Sequence, residues 1–348
     1  MNGAGQLKVL VVDDAVLPRG MIAKWLEDDA SASVATAANG QQALEKLKNF
    51  SADVITMDLE MPVMSGYEAI PLIRESWPAA QIIVVSGTSE RERSTTFAAL
   101  RSGAADFIAK QGREGRSDFR REIVEKVKAL GRPAAPVRTP PMASAPIQAG
   151  APKTNLRRGK HSLLAIGSST GGPEAIANFL NGLKGSLQSP VLITQHLPPK
   201  FSSVFATNLR RQTGLDCVEA EEGMMVQQRR VYIAPGDRHM LVRRDGASVR
   251  IVIDSGPPEN HCRPSVDPMF RSLAEIYGSK VMAVVLTGMG SDGARGAASL
   301  ADVGARIAVQ DQESSVVWGM PGAVANAGLA ESILPVPQLS RLVLEHCS

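Results

Sequence analysis

Residues 161–183 read HSLLAIGSSTGGPEAIANFLNGL: an apolar run from Leu163 to Ile166 breaks at Gly167-Ser168-Ser169-Thr170-Gly171 and passes directly into a helical pattern that opens at Pro173. A short β run that ends in glycines and feeds a helix is the βα unit of a parallel sheet. Two further runs have the same form. PVLITQHLP (190–198) ends its apolar stretch at His196, and KVMAVVLTGMGSDG (280–293) carries Asp292 just beyond its strand end. Between them, residues 229–254 (RRVYIAPGDRHMLVRRDGASVRIVID) break short β runs at PGD and RDG turns, which predicts an antiparallel excursion from the parallel sheet.

The first third of the chain alternates in the same way. KVLVVDD, PRGMIAKWLED, SVATA, GQQALEKLKNF and DVITMD are followed by PLIRESW, QIIVVSG, RSTTFAALRSG, ADFIAK and DFRREIVEKVKALG. Five strands and five helices make a complete doubly wound domain over residues 1–130. Residues 131–159 are rich in Pro, Ala and Ser and nearly free of large apolar side chains, so a flexible linker is expected. Residues 160–348 form the second α/β domain. Two domains also suit a chain of 348 residues.

Composition excludes several classes. A net charge of +3, with Lys and Arg interspersed among Asp and Glu, gives no basic stripe, so no nucleic-acid partner is expected. Cys217, Cys262 and Cys347 have no C-x-x-C spacing and are odd in number, which argues against a zinc site or a disulfide framework. The opening MNGAGQLKVLVVDD has neither signal-peptide form nor a membrane-spanning run. A soluble, cytoplasmic, monomeric protein is expected.

In the first domain, Asp13 and Asp14 end the first strand, Asp58 the third and Ser86 the fourth, while Lys110 follows the fifth. Parallel strands deliver all five groups to one rim. Three close carboxylates require a cation, and an all-oxygen set suits Mg²⁺. Asp58 is then placed as the attacking carboxylate toward a phosphoryl group and Lys110 as the fixed positive partner. Val12-Asp13-Asp14, Met57-Asp58-Leu59-Glu60-Met61-Pro62, Ser86, Phe107 and Lys110 together resemble the receiver domain of two-component response regulators. The resemblance implies a flavodoxin-like five-stranded sheet, phosphorylation at Asp58 with support from Ser86, Phe107 and Lys110, and a sensor histidine kinase as phosphodonor. This chain has Lys110-Gln111 where the family usually has Lys-Pro. A cis bond before a residue other than proline costs about 2.5–4 kcal/mol, so a trans bond and a shifted lysine are expected.

In the second domain, G-x-S-x-G at a strand-to-helix turn is the setting of a nucleophile elbow. Alone, it equally fits a phosphate-cradling loop or a plain turn, although the absence of G-x-G-x-x-G and of a following Lys disfavours nucleotide binding. His196 and Asp292 at two further strand ends complete a set in which His196 takes the Ser169 proton and Asp292 orients the imidazole. His161 and His346 are read as surface residues, and His239 and His261 as loop residues. GSSTGGPEAI, ITQHLPPKFS, YIAPGDRHM, CRPSVDPMF, LTGMGSDGA and WGMP closely resemble the catalytic domain of the chemotaxis protein-glutamate methylesterases, the CheB family. That resemblance implies Ser169 as nucleophile, His196 as base, Asp292 as orienting acid, and Thr170 with the Met289 amide as oxyanion donors. It also implies methylated cytoplasmic helices of chemoreceptors as substrate, no cofactor for the ester chemistry, and glutamine deamidation as a related activity. The alternative is a phosphorylated regulator whose second domain binds a partner without turnover.

Overall fold

The computed structural model describes residues 6–110, 116–131 and 161–347. The linker expected over 131–159 lies outside the described residues except for Gly131, and so does the bond from Lys110 to Gln111.

The first domain runs β1 (Lys8–Val12), α1 (Val16–Ala30), β2 (Ser33–Ala37), α2 (Gly40–Leu47), β3 (Val54–Asp58), α3 (Gly66–Ser76), β4 (Gln81–Ser86), α4 (Glu90–Arg101), β5 (Asp106–Ala109) and α5 (Arg116–Leu130). Its five parallel strands have the order β2-β1-β3-β4-β5. Strands β3, β4 and β5 are buried almost throughout because helices cover both sheet faces, which accounts for their unbroken apolar runs. Helices α3 and α4 begin with complete capping boxes, Ser65 with Glu68 and Ser89 with Glu92, which set where each helix leaves the rim.

The second domain contains β6 (Leu163–Ser168), α6 (Gly172–Gly182), β7 (Val191–Gln195), α7 (Phe201–Thr213), β8 (Asp216–Glu219), β9 (Arg230–Ile233), β10 (His239–Asp245), β11 (Ser248–Asp254), α8 (Val266–Tyr277), β12 (Val281–Val285), α9 (Ala294–Asp302), β13 (Arg306–Gln310), α10 (Met320–Asn326), β14 (Ser332–Leu334) and α11 (Val336–Cys347). Seven strands form one parallel sheet in the order β14-β13-β12-β6-β7-β9-β8. The antiparallel excursion is narrower than the sequence suggests. Strand β9 joins the parallel sheet beside β7 and β8, and only β10 and β11 pair antiparallel, as a separate hairpin. That hairpin turns at Gly246, whose φ of 59° suits the first central position of a two-residue turn. Strand β6 is central, so Ser169, His196 and Asp292 all follow strands at the middle of the sheet.

The domains meet through aromatic rings. Phe97 of α4 stacks on Phe205 of α7 with centroids 5.4 Å apart, and Phe107 of β5 stacks on Phe201 at 4.8 Å. All four rings are buried and belong to one hydrophobic cluster that continues from the first sheet into the second. Arg101 Nη1 adds a long hydrogen bond of 3.5 Å to Asn208 Oδ1. Among the described residues no helix is long and apolar enough to cross a membrane.

One glycine ties the first fold to its rim. A Cβ on Gly66 would lie 2.0 Å from the Asp58 carbonyl oxygen, so α3 starts against the end of β3 only because position 66 lacks a side chain. Gly66→Ala is expected to cost about 1–3 kcal/mol through overpacking. Thermal unfolding should register the loss, and phosphorylation of Asp58 should slow as the strand end is displaced.

Candidate functional site

The first rim is assembled as the sequence indicates. Ligand oxygens of Asp13, Asp14 and Asp58 all lie within 4.8 Å of one another. Lys110 Nζ is 2.5 Å from Asp58 Oδ2 and 3.2 Å from Asp13 Oδ2, so the lysine reaches both carboxylates and the expected shift away from them is not seen. Burial raises the Asp58 carboxyl above its usual range; Lys110 opposes this and Asp13 adds to it. Burial would lower the Lys110 ammonium, but Asp58 and Asp13 outweigh it and hold the ammonium above its ordinary value. Asp13 Oδ2 is buried and accepts no hydrogen bond, so this lone pair has only the Lys110 ion pair. Three hard oxygen donors, one of them left without a hydrogen bond, fit Mg²⁺. Ser86 ends β4 as expected, with only long contacts of 3.5 Å to the Gly87 and Glu92 carbonyls. Phe107 is turned toward Phe201 of the second domain.

On the second rim, Gly171 takes a φ of 75° and makes the sharp turn from β6 into α6. Ser168 is fully buried and donates to Gln195 Oε1 at 2.7 Å, whereas Ser169 is half-buried and carries the accessible hydroxyl. Gln195 Nε2 in turn donates to the Ser169 carbonyl at 2.9 Å and to the His196 carbonyl at 3.2 Å, locking the ends of β6 and β7 together. The loop after β12 closes from the other side. A Cβ on Gly288 would sit 2.9 Å from the Ser169 Cβ, so the backbone leading to Met289 touches the serine directly. Among the described residues, the backbone amides of Thr170 and Met289 donate no hydrogen bond, and the buried Thr170 Oγ1 has no partner. Free N–H groups at a strand-to-helix turn are what an oxyanion needs.

His196 Nε2 lies 2.7 Å from Asp292 Oδ2. The Asp292 carboxylate is nearly inaccessible and sits at the N-terminus of α8, where it accepts from Val266 N at 2.7 Å, Asp267 N at 3.2 Å and the Ser265 hydroxyl at 2.6 Å. Gly293 N at 2.9 Å and Asn260 Nδ2 at 2.8 Å complete the set. Burial alone would raise this carboxyl, but His196, Ser265 and Val266 outweigh it and hold it down to about 2. For His196, burial favours the neutral ring, yet the Cys262 thiol and the Asp292 carboxylate override it and lift the imidazole well above its usual range.

The remaining histidines depart from expectation. His161 is buried instead of superficial, because its backbone bonds to the last helix through the His346 carbonyl, and His346 is half-buried against Arg306. His239 opens β10 instead of lying in a loop; it is buried, with Nε2 3.0 Å from the Pro257 carbonyl and Nδ1 accepting from Ser265 N. His261 is an exposed loop residue. Sequence reading assigns no role to Gln195, Asn260, Cys262, Ser265 or Asp267. The only available signal for the last three was their place in the block CRPSVDPMF.

Two parallel sheets, one with an acidic rim and a lysine, the other with Ser169 and an imidazole–carboxylate pair at neighbouring strand ends, define a response regulator with an α/β output domain. A family model described as CheB methylesterase matches residues 164–343, and one described as response regulator receiver domain matches residues 9–117. The protein-glutamate methylesterase/protein-glutamine glutaminase 2 of Caulobacter vibrioides is 45% identical over 96% of this chain and 96% of its own length. The protein-glutamate methylesterase/protein-glutamine glutaminase of Azospirillum brasilense is 42% identical over 99% of this chain and 94% of its own. Among solved structures, the CheB methylesterase catalytic domain of Thermotoga maritima covers 54% of this chain and 98% of its own, with 38% identity and a TM-score of 0.52. The chain belongs to the CheB methylesterase family.

Because Asp292, together with Cys262, holds the His196 ring above its ordinary value, Asp292→Asn should move the ring's titration to lower pH. An NMR titration of the His196 ring reads this directly, and an unchanged midpoint would mean that the pair does not couple.

Proposed function

We propose that this chain is a phosphorylation-controlled serine esterase that removes methyl esters from glutamyl side chains of chemoreceptors, with side-chain glutamine deamidation as a second outcome of the same chemistry. The observation that carries the reading is the 2.7 Å contact between His196 Nε2 and Asp292 Oδ2 beside the accessible Ser169, in a chain whose relatives are named as methylesterases. With Nε2 committed to Asp292, the other ring nitrogen, Nδ1, is the one that would take the Ser169 proton, exchanging its contact with the Cys262 side chain for the serine hydroxyl. The Ser169 hydroxyl attacks the ester carbonyl carbon while His196 takes its proton. The amides of Thr170 and Met289 receive the oxyanion, each such donor being worth about 2.7–4 kcal/mol. His196 then hands its proton to the departing methanol. Water, activated by the same ring, releases the glutamate. With a glutamine substrate, ammonia leaves in place of methanol.

In the receiver, Asp13, Asp14 and Asp58 are the residues that would hold Mg²⁺, which, when bound, would neutralise charge on an incoming phosphoryl group. Asp58 accepts that group from a sensor histidine kinase, and Lys110 fixes its orientation. The signal then travels through Phe107, which is packed between the phosphorylation rim and Phe201, five residues beyond His196. Negative charge added at Asp58 repositions Ser86 and Phe107 and loosens the aromatic contact that keeps the receiver on the esterase. A purely binding output domain is disfavoured, because Ser168 and Ser169 are sorted into a buried structural hydroxyl and an accessible one.

Methanol release from methylated receptor cytoplasmic fragments should rise with a small-molecule phosphodonor and Mg²⁺, and should vanish in Ser169→Ala without loss of fold. Release by Ser169→Ala at the parental rate would remove the assignment. A Phe97→Ala variant should raise the unphosphorylated rate toward the phosphorylated one while still accepting phosphate at Asp58; equal rates in parent and variant would sever the aromatic contact from control.

A further inference from the structure

Behind the His196–Asp292 pair lies a second buried acid that this reaction does not use. Asp267, in the first turn of α8, is wholly inaccessible. Its Oδ1 accepts from Gly296 N at 2.7 Å and its Oδ2 from Asn260 Nδ2 at 2.9 Å. The same Asn260 nitrogen donates to Asp292 Oδ1 at 2.8 Å. An amide NH₂ has two hydrogens, so this group is spent entirely between two carboxylates. Asn260 holds a φ of 52°, a left-handed conformation that asparagine tolerates better than most residues, and the loop thereby carries its amide to this point.

The geometry points to Asn260 as a positioning residue that separates the two buried acids, keeping Asp292 ionised with its Oδ2 on His196, and to Asp267 as the acid that takes the proton when one must be taken. The two acids are unequally supported. Asp292 receives six donors, from His196, Asn260, Ser265, Val266, Asp267 and Gly293, whereas Asp267 receives two. Burial pushes the Asp267 carboxyl up, and the nearby Asp292 charge adds to that. The other charged or titratable groups that bear on the pair are His196 and Cys262 on one side and Arg271, ion-paired to Glu259 at 2.5 Å, on the other. Without the amide, two buried carboxylates face one another with no shared donor and bind a proton between them. Asp292 then loses part of its charge, His196 loses its counter-ion, and the ring becomes a weaker base.

The inference rests on the esterase reading of Ser169, His196 and Asp292, so its test has a readout that needs no turnover. Full-length Asn260→Ala, Asp267→Asn and the double variant are compared by NMR titration of His196 and by methanol release from methylated receptor fragments across pH, with Ser169→Ala as the control for the esterase itself. In Asn260→Ala, kcat should fall about ten- to a hundredfold, the range that a charge-assisted hydrogen bond carries, with KM unchanged. The His196 midpoint and the acid limb of kcat/KM should both move to lower pH. Adding Asp267→Asn removes the competing charge, so the double variant should recover the parental His196 midpoint and part of kcat. If Asn260→Ala is too unstable to titrate, Asn260→Ser, which keeps one donor, should give a smaller shift in the same direction. A His196 midpoint unmoved by either Asn260 variant, or a double variant no better than Asn260→Ala alone, overturns the proposal. Loss of methanol release in the parent with the His196 shifts intact would instead count against the esterase reading.

Discussion

A carboxylate can stay charged in the interior only if the fold brings donors to it, and Asp292 is where this chain meets that requirement most fully. Its donors come from the loop between β11 and α8, from the loops after β7 and β12, and from the first turn of α8, so the hairpin, the helix and the central sheet must all be in place before the acid is satisfied. Because α8 aims its free N–H groups at the carboxylate, the helix end itself supplies favourable charge. His196 then inherits its orientation from an acid that cannot rotate. The catalytic rim is therefore as rigid as the β6–β7–β12 core beneath it, and Gln195 and Gly288 extend that rigidity to the serine.

Much of this was legible in the sequence, for a definite reason. Parallel strands buried on both faces leave continuous apolar runs that break where the functional rim begins, so Asp58, Ser86, Ser169 and His196 could be located from strand ends alone. The acidic rim of the receiver came out as expected, since carboxylates at the ends of neighbouring strands have no other place to go. The exception in the same region is Lys110, whose reach to Asp13 and Asp58 does not depend on the residue after it being proline.

What the sequence concealed depends on long-range packing. Strand β9 has the same alternating text as the hairpin after it, and only its partner, β7, decides that it runs parallel. His161 reads as a surface residue beside polar text, but the last helix folds back over it. Asn260 lies in a loop with no periodicity, and its role arises from a left-handed backbone that carries one amide between two acids far apart in the chain. No local pattern records such a meeting. The aromatic contact between domains was equally hidden, because Phe97, Phe201 and Phe205 each look like ordinary helix core residues until the two sheets are brought together.

That contact also decides which changes in surroundings the enzyme feels. Among the described residues no ion pair crosses between receiver and esterase, and the junction is chiefly apolar, with stacked rings, Val317 packed against the receiver core, and a long hydrogen bond from Arg101 to Asn208. Docking held by apolar burial carries a heat-capacity change, whereas Debye screening acts only on charges. The trigger at Asp58 is electrostatic, but the latch it releases is hydrophobic. On the proposed release of this junction, the balance between closed and open forms follows the temperature of the medium more than its ionic strength, which would make the junction a thermal set point placed in series with a chemical signal.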